Sequence, residues 1–297
     1  MGEAERDGNL YFGHGTDNAL DEALQLVLHG LHLPADCPDI LLEGRLLPTE
    51  RSHLVVLFRR RVEERIPASY LTNKAQFAGL PFYVDERVLV PRSPIAELIE
   101  QHFYPWIDPD GVNNILEIGS GSGCIAIACS YGFPDAMVDA VDLSEDAVAV
   151  ARINIENHGV GDRVRVKKSD LFSALNGRCY DLIVTNPPYV DRADLESMPA
   201  EFLAEPRMGL EAGEDGLDLI VQILLESPAH LEENGVLICE VGNSAEALEQ
   251  LFPELPWSWL EFERGGHGVF AVDRNTLDAH QSLFRKEHER CTTQLPD

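Results

Sequence analysis

At 297 residues and 44% hydrophobic content the chain can bury a full core as one large domain with a smaller appendage, and no apolar run approaches the ~18 residues of a membrane span. Its formal charge of −28, from 23 Lys plus Arg against 51 Asp plus Glu, argues against direct nucleic-acid binding, which depends on basic side chains, and favours a basic partner. Six scattered cysteines without a Cys-x-x-Cys pair or zinc-finger histidines argue against a disulfide framework and a metal site, and with no apolar signal segment the expected location is the cytoplasm.

Residues 1–9 read as a polar leader. From Thr16, apolar positions Leu20, Ala23, Leu24, Val27, Leu28 and Leu31 recur at helical spacing, with Thr16 or Asp17 as N-cap and Pro34 past the end. A second helix follows Pro48, capped by Thr49 and carrying Leu54, Val55, Leu57, Phe58, Val62 and Ile66 up to Pro67, so residues 1–74 form a small helical domain. Residues 75–94 predict a β-hairpin joint around a Gly-Leu-Pro turn. Pro94 can open the next helix with Ser93 as its cap. Within residues 95–297, strands and helices alternate beyond 111, the sign of a mostly parallel, doubly wound α/β sheet. Strands are expected at 114–118, 137–142, 163–167, 181–185, 235–241, 258–263 and 267–273, and helices near 123–131, 145–158, 216–231 and 244–252. The last two strands form a hairpin about Gly265-Gly266, and 275–297 carry no core pattern, reading as a short terminal helix or a tail.

The stretch Asn114–Ala128 reads as strand, glycine turn and helix, with Glu117, Gly119, Ser120, Gly121 and Gly123 where backbone can approach a ligand at a helix N-terminus. Asp142, followed by Leu143, ends the next strand, where an acid can accept both hydroxyls of a ribose or cap the following helix. Asp170 ends the third and can hold an exocyclic amine, with Leu171 or Phe172 against a ring. The fourth run, Asp181–Thr185, stops at Asn186-Pro187-Pro188-Tyr189. Prolines end a central strand, so this turn lies beyond the strand's carboxyl end, the ligand-binding edge of open α/β sheets. It offers carbonyl acceptors, an amide side chain and an aromatic face, a set suited to a planar NH2 group.

This ordered set resembles the class I S-adenosylmethionine-dependent methyltransferases. The resemblance implies a seven-stranded Rossmann-like sheet and S-adenosyl-L-methionine as cofactor, with the Glu117–Gly123 turn on its methionine part and Asp142 on its ribose. The Asn-Pro-Pro-Tyr turn narrows it to amino-group methylation, on adenine or glutamine, with Asn186, Pro187 and Tyr189 in catalytic roles and Pro188 completing the substrate turn. The helical domain and joint are similar to those of the protein glutamine N5-methyltransferases. Gly13–Asn18, Tyr70–Lys74, Tyr83–Pro94 and Ile238–Asn243 resemble the branch that acts on ribosomal large-subunit protein three, a basic partner. The alternatives are the release-factor branch, a nucleic-acid adenine N6-methyltransferase, disfavoured by the charge and the lack of a basic stripe, and a non-catalytic assembly factor.

Overall fold

The computed structural model describes residues 10–293 except 17, 176, 191 and 212–216. Helices α1 (Ala19–Gly30), α2 (Asp39–Leu42), α3 (Pro48–Glu63) and α4 (Ala68–Thr72) come first. The cap of α1 is Asn18, whose Oδ1 accepts from the Leu20 and Asp21 amides, both at 3.0 Å, whereas Thr16 reaches Glu22 and Asp17 lies outside the described residues. The buried face of α1 also differs from the predicted stripe: Ala19, Glu22, Leu26 and Leu28 are buried while Leu20 and Leu24 are exposed. Glu22 turns inward because Arg61 of α3 meets it at 2.6 Å, so a paired charge stands where hydrophobic spacing predicts a solvent face. Pro48 opens α3 and the Glu50 carboxylate accepts from the Leu47 amide at 2.7 Å, so Thr49 is not the cap.

Strands β1 (Ala75–Phe77) and β2 (Leu80–Phe82) form the antiparallel hairpin. Its turn is Ala78-Gly79, both at positive φ (47° and 74°), so Leu80 and Pro81 belong to β2 and not to the turn. Phe77 and Phe82 bury in the core beside α5 (Ile95–Glu100), whose N-cap is Pro94 and not the expected Ser93, although the Ser93 hydroxyl accepts from the Ile95 amide at 3.2 Å.

The rest builds the sheet: β3 (Asn114–Ile118), α6 (Cys124–Gly132), β4 (Met137–Asp142), α7 (Glu145–His158), β5 (Val164–Lys168) and β6 (Tyr180–Thr185). Then follow α8 (Arg192–Ser197), α9 (Asp218–Glu226), β7 (Leu231–Glu240), α10 (Ala245–Leu251), β8 (Ser258–Trp259), β9 (Val269–Asp273), α11 (Arg274–Ala279) and α12 (Gln281–Thr293). The strand order is β5-β4-β3-β6-β7-β9-β8; β3 to β7 run parallel, and β9 and β8 close the edge antiparallel. Strands this apolar need both faces covered. Ile115, Val138 and Leu182 bury on one face with α5 and α6, and Leu116, Ile183 and Leu237 on the other with α9 and α10. The C-terminal segment is part of that second core: Leu277 and Phe284 are 0% exposed, contrary to the expectation of a segment without a core pattern.

Register sets the site. Ile118 pairs with Val141 and Thr185, Asp142 with Lys168, and Thr185 with Cys239, so the carboxyl ends of the parallel strands form one row. The strand order reverses between β3 and β6, which places the glycine turn and the Asn186 turn side by side at the topological switch point. Among the described residues no helix is long and apolar enough to cross a membrane.

Candidate active site

After β3 the backbone turns through Gly119, Gly121 and Gly123, all at positive φ. At Gly119 a side chain would point toward the Asn186 carbonyl, 3.8 Å from the added carbon, and at Gly123 it would press on Ala151 of α7 at 3.1 Å. Asp142 ties this turn down: Oδ2 accepts from the Gly121 amide and Oδ1 from the Ser144 amide, both at 2.8 Å. Ser144 itself caps α7, accepting from the Ala147 amide at 3.2 Å. Burial raises the Asp142 pKa above its ordinary value, and each oxygen keeps a lone pair that can take a hydroxyl. Glu117 is buried behind the turn, accepts from the Ala126 amide of α6 at 2.9 Å, and is pushed well above the usual carboxylate range by desolvation. Ser120 Oγ is buried beside it without a hydrogen-bond partner. A buried hydroxyl in that state costs free energy unless a ligand meets it.

Beyond β5, the exposed Asp170 carboxylate and Leu171 reach the same cavity, and Leu143 lines it from the β4 side. Leu171 is held at φ 41° by the Ser169 hydroxyl, which donates to its carbonyl at 2.7 Å. That left-handed residue swings Phe172 the other way. Its ring is buried, stacked on His230 at 4.6 Å between centroids, so Phe172 packs in the core and does not line the main cavity. Of the two residues expected against a ring, only Leu171 reaches this cavity.

The Asn186-Pro187-Pro188-Tyr189 turn is pinned at its far end. Ser244 donates to the Tyr189 carbonyl at 3.0 Å, the Val190 amide donates to the Leu210 carbonyl at 3.0 Å, and the Tyr189 hydroxyl donates to Glu240 at 2.9 Å. The Asn186 carboxamide, half-buried on the cavity wall, has no protein hydrogen bond among the described residues. Pro187 and Pro188 line the cavity beside it.

Of the sequence-predicted site residues, all except Gly123 and Phe172 open onto one cavity of about 1120 Å³. Its outer rim is the segment 198–211, which contributes Met198, Phe202, Met208 and Leu210. Two buried glutamates fasten that rim. Glu201 accepts from Arg61 and Arg65, each at 2.9 Å, and from the Tyr11 amide at 3.0 Å. Glu205 takes both arms of Arg92 at 2.6 and 2.8 Å and the Val90 amide at 3.0 Å, with His14 Nε2 at 3.6 Å. Burial alone would raise the Glu205 pKa; His14 and Arg92 outweigh it and hold the carboxyl down to about 2. The Arg92 guanidinium also lies over the Phe202 ring at 4.9 Å.

Glu240, Glu201 and Glu205 were not picked out as site residues by sequence reasoning. For Glu240 a signal existed: it ends a parallel strand, as Asp142 does. The other two lie in a segment without periodic pattern, and only the folded chain brings them to Arg61 and Arg92.

A doubly wound sheet with reversed β9, a glycine turn at the switch point and an Asn-Pro-Pro-Tyr turn beside it define a class I methyltransferase. The methyltransferase small domain matches residues 101–234. The chain is 52% identical over 276 residues to the ribosomal protein uL3 glutamine methyltransferase of Xanthomonas campestris pv. campestris, covering 93% of this chain and 89% of that one. It is 48% identical over 283 residues to the protein of the same name from Francisella tularensis subsp. tularensis, covering 95% and 90%. The chain belongs to this family of glutamine methyltransferases. Among solved structures, the hMettl16 catalytic domain in complex with a MAT2A 3′UTR hairpin shares the fold at a TM-score of 0.51 and 16% identity, over 78% of this chain and 84% of that one.

Proposed function

We propose that this chain transfers the methyl group of S-adenosylmethionine to the side-chain amide nitrogen, N5, of a glutamine in ribosomal protein uL3. The observation that carries the reading is the unpartnered Asn186 carboxamide in a rigid turn at the switch point, next to a glycine turn that carries an orphaned Ser120 hydroxyl. The residues present fit the cofactor. Ser120 and the glycine turn suit its amino-acid part, Asp142 its ribose, and Asp170, Leu171 and Leu143 its base. When bound, S-adenosylmethionine supplies an electrophilic methyl on a sulfonium.

The chain's own residues prepare the nucleophile. An amide nitrogen is weak because its lone pair is delocalised into the carbonyl, the resonance behind the ~18–20 kcal/mol rotation barrier of a peptide bond. The Asn186 side-chain oxygen and the Pro187 carbonyl accept the two N–H bonds and so localise that lone pair along the transfer line. Placement and preorganised acceptors then do the catalytic work. Positive charge that develops on the nitrogen meets these acceptors and the Tyr189 ring.

Residues 1–74 we assign to recognition of the protein substrate, and 75–94 to the joint. The rim they hold gives them a route to the cavity mouth. The −28 charge suits a basic ribosomal protein met in the cytoplasm before RNA covers it. Incubation with tritiated S-adenosylmethionine and RNA-free uL3, followed by mass spectrometry of the labelled peptide, tests the reading. A methyl group on glutamine supports it; label on another residue, or none, refutes it.

A further inference from the structure

One buried carboxyl facing the cavity has no part in the reaction as derived so far. Glu240 is the last residue of β7, one place beyond Cys239, which pairs with Thr185. It is 5% exposed and on the cavity wall. Both of its oxygens are taken by hydroxyls: Oε1 by Tyr189 at 2.9 Å and Oε2 by Ser93 at 2.5 Å. No arginine or lysine among the described residues pairs with it, and the guanidinium of the adjacent joint, Arg92, is given to Glu205. A carboxylate kept in such a place with only neutral donors is expensive, and a glutamine of the same shape would avoid the charge.

What the charge touches is the Tyr189 hydroxyl. The ring of that tyrosine is pressed on Gly242, where a Cβ would come within 2.4 Å of it, so the hydroxyl bond settles the remaining freedom of the side chain. A phenol that donates to an anion makes a strong hydrogen bond and carries more electron density on its face. On the proposed reading, that face stands where the acceptor nitrogen gains positive charge.

We propose that Glu240 is a positioning residue for methyl transfer. As an anion it holds the Tyr189 hydroxyl, fixes the ring, enriches its π face, and through Ser93 locks the joint to the turn. In the transfer the S–C bond breaks as the N–C bond forms, and the nitrogen then loses its proton to water. Glu240 neither gives nor takes a proton. The inference rests on the role given above to the Tyr189 ring.

The charged and titratable groups that act on Glu240 are Tyr189 from the turn after β6, Arg92 from the joint, and the neighbouring Cys239; its partner on β9 is Val269. Burial raises its pKa, and the Ser93 and Tyr189 hydroxyls pull it back. Activity should therefore fall on the acid side as Glu240 takes up a proton, at a pH above the ordinary carboxylate range.

The test is a pH series of kcat on uL3 for wild type, E240Q, Y189F, the double variant and S93A, with cofactor affinity measured by calorimetry. E240Q is expected to lower kcat about ten- to a hundredfold at neutral pH, the worth of one charge-assisted hydrogen bond, with cofactor affinity unchanged. Y189F should lose a similar factor, and the double variant no more than the worse single. The wild-type acid limb should vanish in E240Q. In S93A, which strips one hydroxyl from the carboxylate, it should move to higher pH; this second variant decides the matter if E240Q does not fold. Wild-type kcat in E240Q, or an acid limb unmoved in both E240Q and S93A, overturns the inference. Asn186→Ala run alongside separates the two levels. Should it fall while E240Q stays at wild type, only the Glu240 inference fails, whereas full activity of both Asn186→Ala and Tyr189→Ala sinks the reading of the site itself.

Discussion

Replacing Arg61 with methionine is the sharpest probe of how the helical domain meets the cavity. The arginine is 1% exposed and donates to three separate segments: Glu22 of α1 at 2.6 Å, Glu201 of the rim at 2.9 Å and the Tyr11 carbonyl at 2.6 Å. Methionine keeps the apolar stem and loses all three. Removing one partner of a buried charge cluster costs about 3–5 kcal/mol, because the remaining carboxylates stay buried without their cation. Two features favour the lower end. Arg65 still covers the second oxygen of Glu201 at 2.9 Å, and burial already raises the pKa of Glu22, which can take up a proton. We therefore expect about 3 kcal/mol, a large share of a total stability of roughly 5–15 kcal/mol. Urea unfolding followed by circular dichroism reads it. In the Arg61→Met/Glu201→Gln double variant one stranded charge is gone, so its loss should be smaller than the sum of the singles. Transfer to uL3 should fall in the single variant while cofactor affinity holds. A loss below about 1 kcal/mol, the range of an exposed pair, would refute the reasoning and show that water reaches the cluster.

Asn186→Ala should lower kcat by roughly 10²–10³, the effect of losing one preorganised polar contact, with cofactor affinity nearly unchanged. Asp142→Ala should do the reverse, and calorimetry beside saturation kinetics tells the two patterns apart. Gly242→Ala should abolish activity, since the added carbon meets the Tyr189 ring at 2.4 Å from a backbone at φ 47°; wild-type turnover in that variant would show that the ring is free to move. Glu205, held at about 2 against an ordinary 4.5, contributes stability that is complete above pH 4.5 and is lost as pH falls toward 2. That shift is worth about 3 kcal/mol, so the stability gap between wild type and Glu205→Gln should narrow by this much on acidification, and a gap that stays constant with pH contradicts it. Finally, kcat/KM on RNA-free uL3 should fall as salt rises, because the Debye length shortens from ~30 Å at 0.01 M to ~8 Å at 0.15 M, whereas a short neutral glutamine peptide should show no such slope.

The sheet was legible because its signals are local. Runs such as Ile115–Ile118 and Leu182–Val184 are too apolar for anything but a buried strand, and each stops at a glycine or a proline that fixes its end. The strand-end groups Asp142, Asp170 and Asn186 followed from that, since register puts strand ends in a row. What could not be read depends on pairing across the chain. Glu22 turns inward only because Arg61 is there to meet it, so hydrophobic spacing chose the wrong face of α1. Leu277 and Phe284 sit in polar surroundings and bury because α11 and α12 fold back over the sheet, which no local pattern announces. Leu171 and Phe172 are adjacent and alike in character; a single positive φ sends one to the cavity and the other to His230.

The rim segment 198–211 has a consequence for anyone who would recombine these enzymes. Grafting a foreign helical domain onto this catalytic sheet at residue 75 would carry away Tyr11, His14, Arg61 and Arg65 and leave Glu201 and Glu205 in place. Glu201 would then have neither of its arginines, and Glu205 would keep Arg92 but lose His14. The stretch between β6 and β7 would have to travel with the incoming helices. The unit that can be exchanged without stranding these carboxylates is thus two pieces of chain, one before the sheet and one inserted within it.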